Sequence, residues 1–384
     1  MPLLIPEDLT EPGTHALVIG ISAYQFLEGG DDANPDIEHL GLKQLSSAAR
    51  SASEFAAWLL DGHNRPGLPL RSLRVLLAES PGEVIHPAVQ GLMTGDHAPT
   101  RANVEQAILD FMDATESHTE NIAIVYVAGH GVQFTKDGAV LLLSDFGNPI
   151  HHRKKYTGAI DMTAFNKTMD SEDNAHAQFW FLDLCRGLAS DKEDYDKLTG
   201  ILEFDVSRCD SAVASPMFFS SGSGQTAYGT PNKVTLFNEV LMTGLKEGYA
   251  AKTNVANDPT WRVTTTSLID YLTSAMKAIA AAKGKNQKVD IGGRPITACL
   301  HECPSPPNVD LTVTICKTQD PDNYSADLKL KGKQVGSTLT KWPARTKVRA
   351  GIYIVEVKTV TPPESQVGCF TIEPPTSDME LPLK

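Results

Sequence analysis

The sequence is short of positive charge, with 34 Lys and Arg against 47 Asp and Glu and a net charge of −13. Nucleic acids and anionic membrane surfaces need a basic face, so neither fits as the main partner. An acidic chain suits a basic substrate better. Long apolar runs are also missing, and none approaches the ~20 residues that cross a bilayer. The opening MPLLIPEDLTEPG has no basic segment leading into an apolar one, so no signal or transit peptide is expected. Cysteine is sparse, with six residues at 185, 209, 299, 303, 316 and 369. Such thin spacing is not a disulfide scaffold, and reduced thiols in a cytoplasm are expected.

What is present can fold. Apolar residues make up 41% of the chain, enough to bury a core. A length of 384 residues exceeds one ordinary core and predicts two domains. Up to about residue 290, short apolar runs alternate with amphipathic stretches. His15–Ser22, Leu73–Ala78, Ile122–Val127, Gln178–Leu184 and Pro216–Ser220 read as buried strands. Leu42, Leu45, Ala48, Ala49, Ala52, Phe55, Ala56 and Leu59 recur at helical spacing, and Gly62 stops that helix. Further helices are expected over Val104–Met112, near 161–172, over Val234–Leu245 and over Thr266–Ala282. Ala139–Leu143 reads as a hairpin-like addition. The alternation predicts an α/β fold, a mostly parallel sheet with helices on both faces. Active sites of such sheets lie at the carboxyl ends of the strands.

The pattern changes after about residue 300. A Pro-rich break at Cys303–Asn308 precedes Val309, Leu311, Val313 and Ile315, which alternate with a period of two. Leu328–Val335 reads as a hairpin around Gly332, and Arg349–Val357 as another strand. The expected division is therefore 1–300 for the α/β domain and 308–384 for a small all-β sandwich.

Two strand ends carry reactive side chains. Val125–Gly131 reads VYVAGHG, a strand running into Gly-His-Gly. Asp183–Gly187 reads DLCRG, again at a strand's end. Parallel neighbours would place both on one edge of the sheet. A cysteine attacks as its thiolate and needs a base beside it. His130 can take the proton of Cys185 and later protonate a leaving amine. The developing oxyanion needs backbone donors, for which the amides of Gly131 and Cys185 are candidates. Either residue alone reads as well as core. Together, the histidine lies 55 residues before the cysteine, close to the spacing known for caspases, and the His-then-Cys order excludes a papain-like arrangement.

On these motifs the chain resembles the caspase clan, nearest to metacaspases and bacterial caspase-like proteins, over residues from about 14 to 290. HALVIGISAY resembles the clan's opening strand, Ala128–Gly131 its histidine motif, Asp183–Gly187 its cysteine motif, and Phe218–Ala227 the strand and loop that wall its specificity pocket. The resemblance implies a cysteine peptidase acting on proteins, with Ser220, Ser221 and Tyr228 near the substrate. Asp183 stands where caspases that cut after aspartate have glutamine, and no arginine occurs between 209 and 261. Metacaspases also have aspartate there and cut after Arg or Lys. A buried carboxylate is costly unless paired, and a basic P1 side chain supplies the pair. The alternative is that Asp183 caps a turn or holds Arg186. Asp31 and Asp32 are candidates for a second pocket charge, with a solvated loop as the alternative.

The connection Ala189–Ser215 is a long loop. The family often keeps activation cleavage sites here, which makes Lys192, Lys197 and Arg208 candidate self-cleavage sites of a zymogen. No cofactor is expected. Some metacaspases need calcium, but Asp170–Asn174 and Asp191–Asp196 lack the spacing of an EF-hand. Cys299, His301 and Cys303 lack an evident fourth zinc ligand. The β tail is either a module for a regulatory protein partner or a lid. Bacterial relatives often serve in antiviral defence or cell death, so a regulated effector protease is what the resemblance implies. The competing reading is a scaffold or pseudoenzyme that acts by binding.

Overall fold

Short apolar runs become the central strands, because a strand covered by helices on both faces exposes neither set of side chains. The structure, a computed structural model, describes residues 3–5, 8–33, 41–135, 138–151, 153–154, 156–171, 173–188, 200–202, 204, 213–223, 232–254, 258–315 and 320–381.

In chain order the elements begin with β1 (Leu3–Ile5), β2 (Thr14–Ile21), α1 (Ala48–Asp61), β3 (Leu70–Ala78), α2 (Pro87–Gln90), α3 (Arg101–Glu116) and β4 (Ile122–Gly129). Next come β5 (Gly131–Gln133), β6 (Val140–Leu142), β7 (Ala159–Asp161), α4 (Met162–Thr168), β8 (Ala177–Leu184), β9 (Gly187–Leu188) and β10 (Ser215–Phe219). Then follow α5 (Leu236–Lys246), β11 (Lys252–Asn254), β12 (Asp258–Thr264), α6 (Thr265–Ala282), β13 (Asp290–Arg294) and β14 (Cys299–Glu302). The tail holds β15 (Asn308–Ile315), β16 (Tyr324–Leu330), β17 (Lys333–Gln334), β18 (Ala344–Arg349), β19 (Gly351–Thr359), β20 (Ser365–Ile372) and β21 (Thr376–Leu381).

Seven strands form the main sheet in the order β1-β3-β2-β4-β8-β10-β13. The five inner strands are parallel, and the edges β1 and β13 are antiparallel. One face packs on α1, α5 and α6 through Phe55, Tyr126, Phe181, Val240 and Leu272. The other packs on α3 and α4 through Ile108, Phe111, Phe165, Trp180 and Leu182. The expected α/β architecture is present.

Two departures matter for the site. The helical stripe begins only at Ala48, so Leu42 and Leu45 lie in a preceding irregular segment. Both still pack against the core, which is why their spacing imitates a helix. The backbone is held open there because Leu45 donates to the Ser22 carbonyl and the Gln44 side chain binds the backbone of Tyr24. The first amides of α1 are capped from outside the helix. Ser22 Oγ accepts from Ala48 and Ala49, and Glu83 Oε1 accepts from Arg50. These supply the acceptors that a helix start leaves wanting.

The second departure is a small sheet in the order β7-β6-β5-β9. β5 continues the chain just after β4 and β9 just after β8, and these continuations again pair in parallel, Val132 with Gly187. The main sheet and the small sheet therefore diverge between them, with residue 130 at one break and residues 185–186 at the other. The Ala139–Leu143 addition is β6 of this sheet.

After residue 308 two further sheets form, β18-β15-β21 and β17-β16-β19-β20. Their buried alternate residues, among them Leu311, Val313, Tyr353 and Val355, join the same apolar cluster as α1 and α6. A third small sheet, β11-β12-β14, precedes them.

Candidate active site

His130 and Cys185 lie at the two strand breaks. β4 and β8 pair in parallel up to Gly129 opposite Leu184, so each residue is one step past that last pair. Neighbouring strands are ~4.8 Å apart, which brings the two residues side by side. Gly131 turns the chain tightly against the cysteine. A Cβ there would lie 2.5 Å from the Cys185 carbonyl oxygen and 2.8 Å from Leu184 Cβ, so only glycine fits without a shift. Cys185 is half-buried.

The histidine is fixed from three directions. Its Nε2 lies 2.6 Å from the Lys43 carbonyl oxygen. A carbonyl only accepts, so Nε2 carries the proton and Nδ1 is left as the basic nitrogen. Its backbone amide donates to the Tyr24 hydroxyl at 2.7 Å. The Tyr24 ring packs on the imidazole with centroids 4.9 Å apart. Burial pushes the His130 pKa below 6.5, opposed by the Lys43 carbonyl, so the ring is neutral at neutral pH. Tyr24 is fully buried, and its phenol is held protonated, chiefly by burial with a contribution from the nearby charge of Cys185.

Gln44 ties these parts together. Its Oε1 accepts from the Tyr24 amide at 2.6 Å, and its Nε2 donates to the Tyr24 carbonyl at 2.9 Å. The carbonyl that orients His130 belongs to the residue before it. Tyr24, Lys43 and Gln44 were not among the sequence candidates. A backbone carbonyl has no side-chain signature, and the helical stripe placed residues 43 and 44 inside a helix.

Asp183 points to the face of α1 and α5 and is 3% exposed. Its Oδ2 accepts from the Tyr126 hydroxyl at 3.1 Å and from the Thr235 hydroxyl. Thr235 caps α5 by accepting from the Asn238 amide, and Asn238 in turn donates to Tyr126. The carboxylate thus sits at a helix N-terminus, where negative charge is favoured. Its Oδ1 has no hydrogen-bond partner among the described residues. Burial raises the Asp183 pKa to about 6, against the lowering effect of Thr235, Tyr126 and Ser220. Arg186 does not pair with it; its guanidinium binds Asp290 Oδ2 at 2.6 Å.

Ser220 and Ser221 are fully buried. Both hydroxyls donate to the Leu184 carbonyl, at 3.1 and 3.0 Å, and so pin the end of β8 beside the cysteine. Asp31 and Asp32 are exposed on the loop after β2, and Asp32 accepts from the Gln25 side chain. Tyr228, Lys192, Lys197 and Arg208 lie outside the described residues. Asp170 is ion-paired with Arg294. Among the described residues no three His, Cys, Asp or Glu side chains converge as a metal site, and no helix is long and apolar enough to cross a membrane.

A neutral, oriented imidazole and a half-buried thiol thus each follow the end of a neighbouring strand at the carboxyl edge of a parallel sheet. The caspase-domain family model matches residues 14–290, and the chain belongs to that family. Among solved structures, caspase-1 from Spodoptera frugiperda is similar at 12% identity and a TM-score of 0.40, over 76% of this chain and 90% of that one. No curated protein matches the chain.

Proposed function

We propose that this cysteine peptidase is an endopeptidase that cleaves after Arg or Lys, with His130 as base and Cys185 as nucleophile. The observation that carries the specificity is buried Asp183, whose Oδ1 has no hydrogen-bond partner among the described residues. Shifting a carboxyl from 3.8 to about 6 corresponds to a cost on the order of 3 kcal/mol for keeping it ionised. A guanidinium or ammonium offers the missing donor and the opposite charge together. A neutral or acidic P1 side chain offers no such pair.

His130 Nδ1 accepts the proton of Cys185 Sγ as sulfur attacks the scissile carbonyl. The amides of Gly131 and Cys185 are the proposed donors to the oxyanion. The imidazolium then protonates the leaving amine. Water, deprotonated by His130, hydrolyses the thioester and returns Sγ to the thiol. Lys43 keeps the imidazole in one tautomer through both proton transfers.

A panel of peptides differing only at P1 tests this. Arg and Lys substrates should turn over at least 100-fold faster than Asp or Leu substrates. Preferred cleavage after Asp would reverse the assignment.

The wider role we propose is a regulated effector protease of bacterial defence or cell death. It would be activated by its own cleavage at Lys192, Lys197 or Arg208, with the C-terminal sheets meeting a regulatory protein. Fragments on a gel that persist in Cys185→Ala would remove self-cleavage.

A further inference from the structure

β10 is the neighbour of β8 on the side away from β4. The two pair in parallel up to Phe219 opposite Leu182, and the Ser220 amide extends the ladder to the Leu182 carbonyl at 2.9 Å. The segment Ser220–Ser223 therefore leaves the sheet beside the end of β8, on the opposite flank of Cys185 from His130. The Ser220 side chain also interacts with Asp183, so the segment borders the carboxylate assigned to P1.

Side chains from two other parts of the chain hold this segment. Gln287, between α6 and β13, is 1% exposed, and its Nε2 donates to the Ser220 carbonyl at 2.7 Å. Gln133, the last residue of β5, is also 1% exposed. Its Oε1 accepts from the Ser223 hydroxyl at 3.0 Å, although Ser223 itself is exposed. β5 follows His130 directly and pairs with β9, Gln133 opposite Leu188. The Ser223 bond thus joins the chain that carries the base to the segment on the far flank of the nucleophile, across the break at residues 185–186.

The two ends of the segment are held differently. Ser220 and Ser221 are tied to β8 through the Leu184 carbonyl. Among the described residues Ser223 has no bond to β8, and Gln133 fixes the course of the chain beyond Ser221. A binding segment that must be ordered when its ligand arrives costs affinity, and one held in place beforehand does not.

We propose that Gln133 is a positioning residue for the substrate. Through Ser223 it holds Ser220–Ser223 in the course that a bound peptide meets, so its loss weakens peptide binding and leaves the Cys185 thiolate as reactive as before. The inference rests on the reading of Cys185 as nucleophile and not on which P1 residue is preferred.

The full chain is labelled at Cys185 with two peptidyl chloromethyl ketones that differ only at P1, Arg in one and Asp in the other, and with iodoacetamide. Which ketone reacts faster reports on the P1 reading, and Gln133 is tested with the faster one, whichever it is. Gln133→Met and Ser223→Ala should each raise its KI about three- to tenfold, the worth of one hydrogen bond, and change the maximal labelling rate less than about twofold. The iodoacetamide rate, which reads the thiolate without the segment, should stay within about twofold in both. The double variant should raise KI no further than either single change, because one bond can be lost only once. Ser223→Ala alters an exposed side chain, so it reads the bond even if Gln133→Met folds poorly. An unchanged KI in Ser223→Ala, effects that multiply in the double variant, or an iodoacetamide rate that falls in step with KI would overturn the proposal. Failure of all three reagents to label Cys185 would remove the nucleophile reading and this inference with it.

Discussion

Asp183 is the residue whose surroundings say most about the substrate, and its cost is measurable without one. Its carboxyl titrates near 6 in the folded chain, against 3.8 for the free group. Between those values the folded state holds a proton that the unfolded state has lost. Stability should therefore fall as pH rises from about 4 to about 6, by a total on the order of 3 kcal/mol. Asp183→Asn has nothing to ionise, so its urea unfolding should lack this segment while other pH effects stay the same. Parallel curves for the two proteins would mean that the carboxyl is not desolvated. The same variant should lose at least ~100-fold in kcat/KM on Arg substrates, the cost of removing one partner of a buried charge pair. The histidine carries its own pH signature. Its pKa lies below 6.5 because burial disfavours the imidazolium, so the acid limb of kcat/KM should fall below pH 6.5. A limb above 7 would assign that titration elsewhere. His130, Gly131 and Cys185 were legible in the sequence because Gly-His-Gly and Cys-Arg-Gly at strand ends combine unusual chemistry with unusual backbone. The Lys43 carbonyl was not, since any residue supplies one.

At the scale of elements, the site exists because two parallel strands each break and resume in another sheet. The parallel order was legible from the apolar runs. The edge strand β13 was not, because Asp290–Arg294 reads DIGGR, with neither alternation nor β-branched density to mark it. The segment Gly41–Ser47 misled for the opposite reason. Its leucines face the core at helical spacing while side-chain bonds from Gln44 hold the backbone in another form. That segment makes Gln44 a positioning residue. Gln44→Leu removes the bonds to the Tyr24 backbone and frees the Lys43 carbonyl to move. It should lower kcat about 10- to 100-fold, since small misplacements of a base are costly. KM should change less than about threefold, since among the described residues Gln44 bonds the backbone of Tyr24, Leu27 and Glu28. A matching rise in KM with unchanged kcat would show a substrate role instead. Gly131→Ala should cost more, because its methyl overlaps the Cys185 carbonyl.

At the scale of the whole molecule, length predicted two domains, and among the described residues the strands after 308 pair only among themselves in two sheets. Their apolar faces do not form a separate core. Val309, Val313, Tyr353 and Ile372 belong to one buried cluster with Ala52, Trp261 and Met276. The junction is bonded as well as packed. Ala350 donates to the Pro307 carbonyl at 2.7 Å. Lys252 and Glu373 form an ion pair across it. The period-two pattern revealed the strands, but it could not reveal what their buried face meets, because a pattern reports burial and not the partner. Shared burial couples the two halves, so neither can unfold without exposing apolar surface on the other. The full chain, as Cys185→Ala to prevent nicking, should therefore melt in one cooperative calorimetric transition, with van't Hoff and calorimetric enthalpies in agreement. A chain ending at Pro307 should melt at lower temperature and bind a hydrophobic dye before it melts. Two separate transitions in the full chain, or a truncated chain as stable as the whole, would show that the tail is an appended module and that the peptidase keeps its strand breaks in place alone.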